Sequence, residues 1–229
     1  MTAVGAGSTT LPSVAARSTI MVRALTALAT IVVILAVALV PLLTPWFMHP
    51  ALDRSQSAAW LRATSDQAHS LSDETVTELA LGPGAFAFAG PDGGPFYDAA
   101  ERAHMQDART LLLLLVAAAA VSAAGIVVAL KRRDRRTIQR AISTGGGVTA
   151  IGVLVIGAIG LVAFEPLFEL FHRVFFPGGN WAFDPRTEHL VQLYPYAFWE
   201  IAAASLGVLA LLLGSLTWWL ARRLAGRAT

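Results

Sequence analysis

Four long apolar stretches constrain this chain more than any other feature of its sequence. They cover residues 21–43, 110–130, 141–164 and 198–221. A helix needs about 20 consecutive apolar residues to cross the roughly 30 Å hydrocarbon core of a bilayer. Charged residues make up only 14% of the 229, too few for an ordinary water-exposed surface. The sequence therefore predicts an all-α membrane protein built as a four-transmembrane-helix bundle.

The N terminus is read as a retained anchor preceded by a flexible segment. Residues 1–20 are mostly small and polar, which predicts disorder. Arg17 precedes the first apolar stretch and Arg23 lies at its start, where a signal peptide also has basic residues. That stretch is too long for a signal peptide and lacks a convincing small-residue cleavage site.

Basic residues predict the orientation of the bundle. They cluster between the second and third spans and after the fourth: Lys131, Arg132, Arg133, Arg135, Arg136, Arg140, Arg222, Arg223 and Arg227. Loops rich in Lys and Arg stay in the cytoplasm. We therefore expect both termini, including a basic tail at 222–229, to be cytoplasmic. Segments 44–109 and 165–197, which hold all five histidines, are expected on the outer side.

The first outer segment is long enough for a small extracytoplasmic cap. Ser72 is expected to N-cap a short helix. Residues 86–89 and 95–97 flank a turn rich in glycine and are expected to form a short strand pair. Asp98 followed by Glu101 is typical of a capping box, which predicts a helix that continues into the second span.

Glycines of the third span predict close helix packing. Small residues let helix backbones approach closely within a membrane, so this span is expected to lie centrally. Pro166 is expected to kink its outer end. The glycines are Gly145, Gly146, Gly147, Gly152, Gly157 and Gly160.

Composition excludes several classes of function. The chain has no cysteine, so disulfides, thiolate metal sites, iron–sulfur clusters and a cysteine nucleophile are ruled out. Its basic residues lie beside the membrane spans rather than on an aromatic-bearing face, which argues against nucleic acid as a partner.

Two polar clusters lie at the predicted outer interface. Ionisable groups there are costly and often mark a site. Each also has a structural interpretation. Glu101 completes a capping box, and the spacing of the histidines by itself favours interfacial residues bonded to carboxylates or headgroups. Trp181 fits an ordinary aromatic belt. The clusters are Tyr97, Glu101, His104 and Asp107 before the second span, and Glu165, Glu169 and His172 after the third.

These motifs resemble the lipoprotein intramolecular transacylase (Lit) family of bacterial membrane proteins. The first motif is Tyr97 followed by residues 101–107. The second runs from Phe171-His172 to Phe198, and its other residues are Phe175, Phe176, Trp181, Asp184, Pro185, Leu190 and Pro195.

The resemblance implies a transacylase in the bacterial cytoplasmic membrane, in contact with membrane lipids and with its active site on the outer face. It would move the sn-2 acyl chain of a diacylglyceryl lipoprotein to the α-amine of that lipoprotein's N-terminal cysteine, leaving a lyso-form lipoprotein. It also implies that His104 and His172 are catalytic. We expect His172 to act as the base and His104 as its partner, with support from Glu101, Asp107, Glu169, Tyr97, Trp181 and Asp184. No cofactor or metal is expected.

Two other classes of function stay open at this stage. A metal-dependent hydrolase would use the two histidines and nearby carboxylates as ligands, although the chain has only one Glu-x-x-His pair, Glu101 and His104. A non-catalytic accessory membrane protein would use the cap to bind a partner.

Overall fold

Helices account for nearly all of the regular structure in the computed structural model, which describes residues 14–227. In chain order they are α1 (Val14–Leu39), a short 3-10 helix (Val40–Leu43), α2 (Pro45–Arg54), α3 (Ser57–Leu61), α4 (Ser65–Ala80), α5 (Ala99–Arg132), α6 (Arg135–Phe175), α7 (His189–Leu193) and α8 (Tyr196–Arg227).

Four of these helices, α1, α5, α6 and α8, are long and apolar enough to cross a membrane. Helix α5 has 34 residues and α6 has 41. Because about 20 residues suffice to cross the hydrocarbon core, both helices extend beyond it. The predicted all-α, four-span membrane architecture is confirmed.

Helix α6 lies at the centre of the bundle because two adjacent glycines let it touch two different helices. A Cβ atom on Gly145 would lie 2.5 Å from the Ala27 backbone oxygen of α1. One on Gly146 would lie 2.7 Å from the Gly214 oxygen of α8. Gly152 and Gly157 face open space instead, so only part of the glycine pattern serves packing.

The C-terminal part of α6 is bent, as Pro166 predicts. Ala163 has non-helical angles, φ −145° and ψ 44°, three residues before the proline. Proline lacks a backbone N–H and its ring displaces the preceding turn, so the helix changes direction there. The bend sets the course of the last turns of α6, which carry His172.

The cap has its own hydrophobic core, formed by α2, α4, α7, the first turns of α5 and α8, and the segment before α5. Phe86, Phe96 and Tyr97 are fully buried in it. The Thr75 hydroxyl donates to the Leu71 carbonyl, so it accepts the 2.9 Å hydrogen bond from the Tyr97 hydroxyl. The hydroxyls of Tyr194 and Ser72 form a 3.1 Å hydrogen bond. Burial raises the pKa of the Tyr194 hydroxyl to about 12. These bonds fix α4 against two segments, the one that precedes α5 and the one that precedes α8.

The predicted strand pair in the cap is wrong. Residues 86–89 and 95–97 form only an isolated antiparallel bridge between Ala89 and Pro95. Pro95 has no N–H to extend a ladder, and Phe86 has φ +50°, outside the extended region. The segment is a tight turn packed on α4 and α5.

Several helix ends differ from the sequence-based expectation. Helix α4 begins at Ser65 with a capping box between Thr64 and Gln67, so Ser72 lies mid-helix and does not cap it. Helix α1 begins at Val14, so residues 14–20 are helical rather than disordered, and residues 1–13 lie outside the described residues. Helix α8 continues to Arg227, through most of the expected tail.

Candidate functional site

The two candidate histidines meet at one end of the membrane bundle. His104 lies in the second turn of α5, and His172 lies in the last turn of α6. Their ring centroids are 6.0 Å apart, with the ring planes inclined by 23°. Each residue is only 8% exposed. Two residues that are far apart in the sequence therefore form one buried pair.

Aromatic side chains surround this pair. Phe176 contacts both imidazoles, with its centroid 4.6 Å from that of His104 and 5.5 Å from that of His172. Phe183 lies beside His104 at 5.6 Å, and Trp181 lies beside His172 at 5.1 Å. Phe168 and Phe171 complete the wall around His172. The surroundings of the two imidazoles are therefore mostly apolar.

Hydrogen bonding distinguishes the two imidazoles. The Nδ1 atom of His172 lies 2.8 Å from the Phe168 carbonyl oxygen, which can only accept, so Nδ1 carries the proton. In the neutral ring this leaves a lone pair on Nε2 of His172. The Nδ1 atom of His104 is buried and has no hydrogen-bond partner. The pair thus offers one proton-accepting nitrogen on His172 and one unused buried nitrogen on His104.

Glu101 is committed to backbone groups. One carboxylate oxygen accepts from the Asp98 N–H at 2.7 Å, which closes the predicted capping box of α5. The other accepts from the Leu190 N–H of α7, also at 2.7 Å. Glu101 is 1% exposed and makes no hydrogen bond to either histidine. It joins the start of α5 to α7 and completes the capping box that its structural interpretation predicts.

Asp107 lies one helical turn beyond His104, within electrostatic range of that ring. Its carboxylate accepts a 2.9 Å hydrogen bond from the side-chain amide of Asn180. Asn180 directly precedes Trp181, which packs on His172. This bond therefore fixes the segment after α6 against α5 beside the pair.

Three other expected supporting residues do not contact the pair. Glu169 forms an exposed ion pair with Arg173 at 2.7 Å. Tyr97 lies in the cap core, where burial raises the pKa of its hydroxyl well above the ordinary value. Asp184 binds Arg186, whose hydrogen bonds lower the pKa of that carboxyl to about 2. Their contacts lie at the end of α6, in the cap core and in the segment before α7.

Sequence reasoning missed Asn180 and Phe183 as neighbours of the histidines. Asn180 follows two glycines in a loop, and no spacing rule connects it to Asp107, 73 residues earlier. Phe183 is one of many phenylalanines in the chain and resembles any interfacial aromatic.

A metal centre would need several His, Asp or Glu side chains to converge. Within residues 14–227, no three His, Asp or Glu side chains converge in a way that could hold a metal ion.

Comparison with known proteins identifies the family of this chain. The family described as lipoprotein intramolecular transacylase Lit matches residues 18–199. No curated protein matches the chain.

Solved structures of the membrane integral lipoprotein intramolecular transacylase Lit from Bacillus cereus share the fold. One has a TM-score of 0.76 and 19% identity, and the alignment covers 92% of this chain and 97% of that one. A variant with a histidine replaced by arginine has a TM-score of 0.71 and 18% identity over 92% and 93% of the two chains. A variant with a histidine replaced by alanine has a TM-score of 0.70 and 19% identity, and the alignment covers 92% of this chain and 95% of that one.

The family match spans most of the chain and includes both histidines, the aromatic residues around them and the whole cap. This protein is therefore a multi-pass membrane acyltransferase that belongs to the lipoprotein intramolecular transacylase Lit family.

Proposed function

We propose that this enzyme moves the sn-2 acyl chain of a diacylglyceryl lipoprotein to the α-amine of the same molecule's N-terminal cysteine. The product is a lyso-form lipoprotein with an N-linked acyl chain. The observation that carries the proposal is the buried pair of His104 and His172, 6.0 Å apart between ring centroids, in a member of this transacylase family.

The proposed reaction needs no nucleophile from the enzyme. The attacking amine and the ester belong to one molecule, so the site has only to hold them in register. Correct positioning of tethered reactants can supply several kcal/mol toward the barrier. This suits a chain that has no cysteine and only two histidines at the site.

His172 is the proposed base. The bond from its Nδ1 to Phe168 leaves the lone pair of Nε2 for the proton of the attacking amine. The nitrogen forms a C–N bond to the acyl carbon, and the proton moves from nitrogen to His172. When the intermediate collapses, the C–O bond to the glycerol breaks and the same proton is delivered to the departing oxygen. Atoms and charges balance, and the base is regenerated.

His104 is the proposed partner in the same step. Its ring lies close enough to His172 for a small reacting group to contact both. An N–H of His104 can then donate to the oxygen that becomes negative in the tetrahedral intermediate, which is where a fixed donor accelerates acyl transfer most.

The aromatic wall favours transfer over hydrolysis. Both histidines are 8% exposed and are packed against Phe176, so little water reaches the base. A water molecule in the place of the amine would release a free fatty acid. Keeping water out therefore protects the outcome of the reaction.

We also propose that the site faces the outer side of the bacterial cytoplasmic membrane, next to the lipids that carry the substrate. His104 and His172 lie at the ends of α5 and α6 opposite the basic connection at residues 131–136. The positive-inside rule assigns that connection, and with it both termini, to the cytoplasm.

A purified diacylglyceryl lipopeptide tests the proposal. Intramolecular transfer leaves the mass unchanged, while fragmentation shows the acyl group moved to the cysteine nitrogen and one ester becoming a free hydroxyl. Hydrolysis would instead yield a free fatty acid. The proposal would be contradicted if correctly folded protein in lipid hydrolysed the peptide or left it unaltered.

A further inference from the structure

Asn180 presents an unused hydrogen-bond acceptor near the histidine pair. Its Nδ2 atom lies 2.9 Å from the Asp107 carboxylate, which only accepts, so the amide orientation is fixed. The other amide atom, Oδ1, therefore points away from Asp107. It is buried and has no hydrogen-bond partner.

A buried, unpaired carbonyl oxygen is costly, and such exceptions usually have a reason. Here the oxygen belongs to a residue held between the two halves of the site. Its partner Asp107 lies one turn after His104, and the next residue, Trp181, packs on His172 at 5.1 Å. Asn180 is therefore tied to both sides of the histidine pair, through Asp107 on α5 and through the neighbouring Trp181 on His172.

We propose that Oδ1 of Asn180 accepts an N–H from the α-amine of the substrate's N-terminal cysteine, with Asp107 as the positioning residue. This inference rests on the proposed transacylation. A neutral amine has two N–H groups and one lone pair. One N–H faces Nε2 of His172, the second faces Asn180, and the lone pair then points at the ester carbon.

The chemistry of an amide suits this task better than that of a carboxylate. A carboxylate beside the amine would stabilise the ammonium form, which has no lone pair and cannot attack. The Asp107 carboxylate instead accepts a hydrogen bond from the side-chain amide of Asn180. The substrate amine therefore contacts the neutral Oδ1 atom of Asn180. Asn180 thus orients the nucleophile without favouring its protonated state.

The test measures binding of two non-reactive lipopeptides, so it is independent of turnover. Both carry ether-linked chains in place of the esters. One has the α-amine and the other has hydrogen in its place. Binding is measured at about pH 9, where an amine with a pKa of roughly 8 is mostly neutral.

Wild-type protein should bind the amine peptide more tightly than the peptide without the amine. Asn180→Leu should reduce this preference about tenfold, the usual value of one well-placed hydrogen bond, because the contact of the amine with His172 remains. Its affinity for the peptide without the amine should stay at the wild-type level. If Asn180 had only a structural role, its substitution would weaken the binding of both peptides equally.

Gln192→Leu is the matched control, because Gln192 is also a cap amide and donates to the Pro185 carbonyl at 3.0 Å. It should discriminate as wild type does. Asn180→Ala makes the same prediction as Asn180→Leu and replaces it if the leucine variant does not fold. The inference is overturned if either Asn180 variant keeps the full wild-type preference for the amine peptide, or if the wild-type protein shows no such preference. Turnover of the ester lipopeptide by wild type is measured in parallel, and its failure would overturn the proposed function instead.

Discussion

Replacing Glu101 with glutamine should destabilise the protein, although the two side chains have the same size. Both carboxylate oxygens accept backbone N–H groups, from Asp98 and from Leu190, each at 2.7 Å. Glutamine has only one oxygen, so its NH₂ group must face one of these donors. That leaves one buried N–H unpaired and places two donors together, at a cost of about 2 kcal/mol.

The assay is thermal unfolding of the purified protein in detergent. For a chain of this size, about 2 kcal/mol corresponds to a fall of roughly 4–8 °C in Tm. Glu101→Ala loses both hydrogen bonds, so its Tm should fall further. Glu169→Gln is the control, since its exposed pairing with Arg173 should contribute less than about 1 kcal/mol.

Acyl transfer by Glu101→Gln should follow the folded fraction, because Glu101 has no bond to either histidine. A Glu101→Gln variant that keeps the wild-type Tm but loses acyl transfer would refute this reasoning. The carboxylate would then act in the chemistry and not through the α5–α7 junction.

Three further predictions concern orientation, metal and packing. Topology reporters within residues 131–140 should read cytoplasmic and one at Gly93 external, and the opposite pattern would reverse the proposed orientation. Chelator treatment should leave acyl transfer intact; stoichiometric metal in the purified protein, with activity lost on its removal, would favour a metal-dependent mechanism. Gly146→Ala should lower the Tm, because its Cβ would lie 2.7 Å from backbone atoms of α8, whereas Gly152→Ala should not. Equal Tm values for the two variants would contradict the close packing of α6 on α8.

The spans were predictable because lipid imposes a simple rule on sequence. A helix must hide every backbone polar group and present an apolar surface over a fixed thickness. The start of α5 was predictable too, since Asp98 and Glu101 form a short-range capping pattern. Both signals depend on residues close together in the chain.

The cap was harder, because its local signals compete. Alternating Phe and Ala at 86–89 favours a strand, but Pro95 removes the N–H that a ladder needs and Phe86 adopts positive φ. The cap of α4 is the short pattern of Thr64 and Gln67, eight residues before the expected cap at Ser72. Packing decided between these alternatives.

The site could be predicted only in part for the same reason. The family motif drew attention to both histidines, but their separation depends on how the kinked α6 meets α5. The bond between Asp107 and Asn180 joins residues 73 positions apart and has no local signature. Glu101 shows the reverse case, in which the structural interpretation was available from the sequence and holds in the fold.

Alanine variants of the two histidines, measured singly and together, test the central claim most directly. The assay is conversion of a diacylglyceryl lipopeptide in lipid, with His69→Ala as the control because His69 pairs with Asp53 elsewhere in the cap. If His104 and His172 share one proton-transfer task, each single variant should lose about 10²- to 10⁴-fold in rate. The double variant should be scarcely slower than either, since residues that act as a unit are not additive. Full N-acylation by either single variant, or losses that multiply in the double variant, would contradict the paired-histidine mechanism.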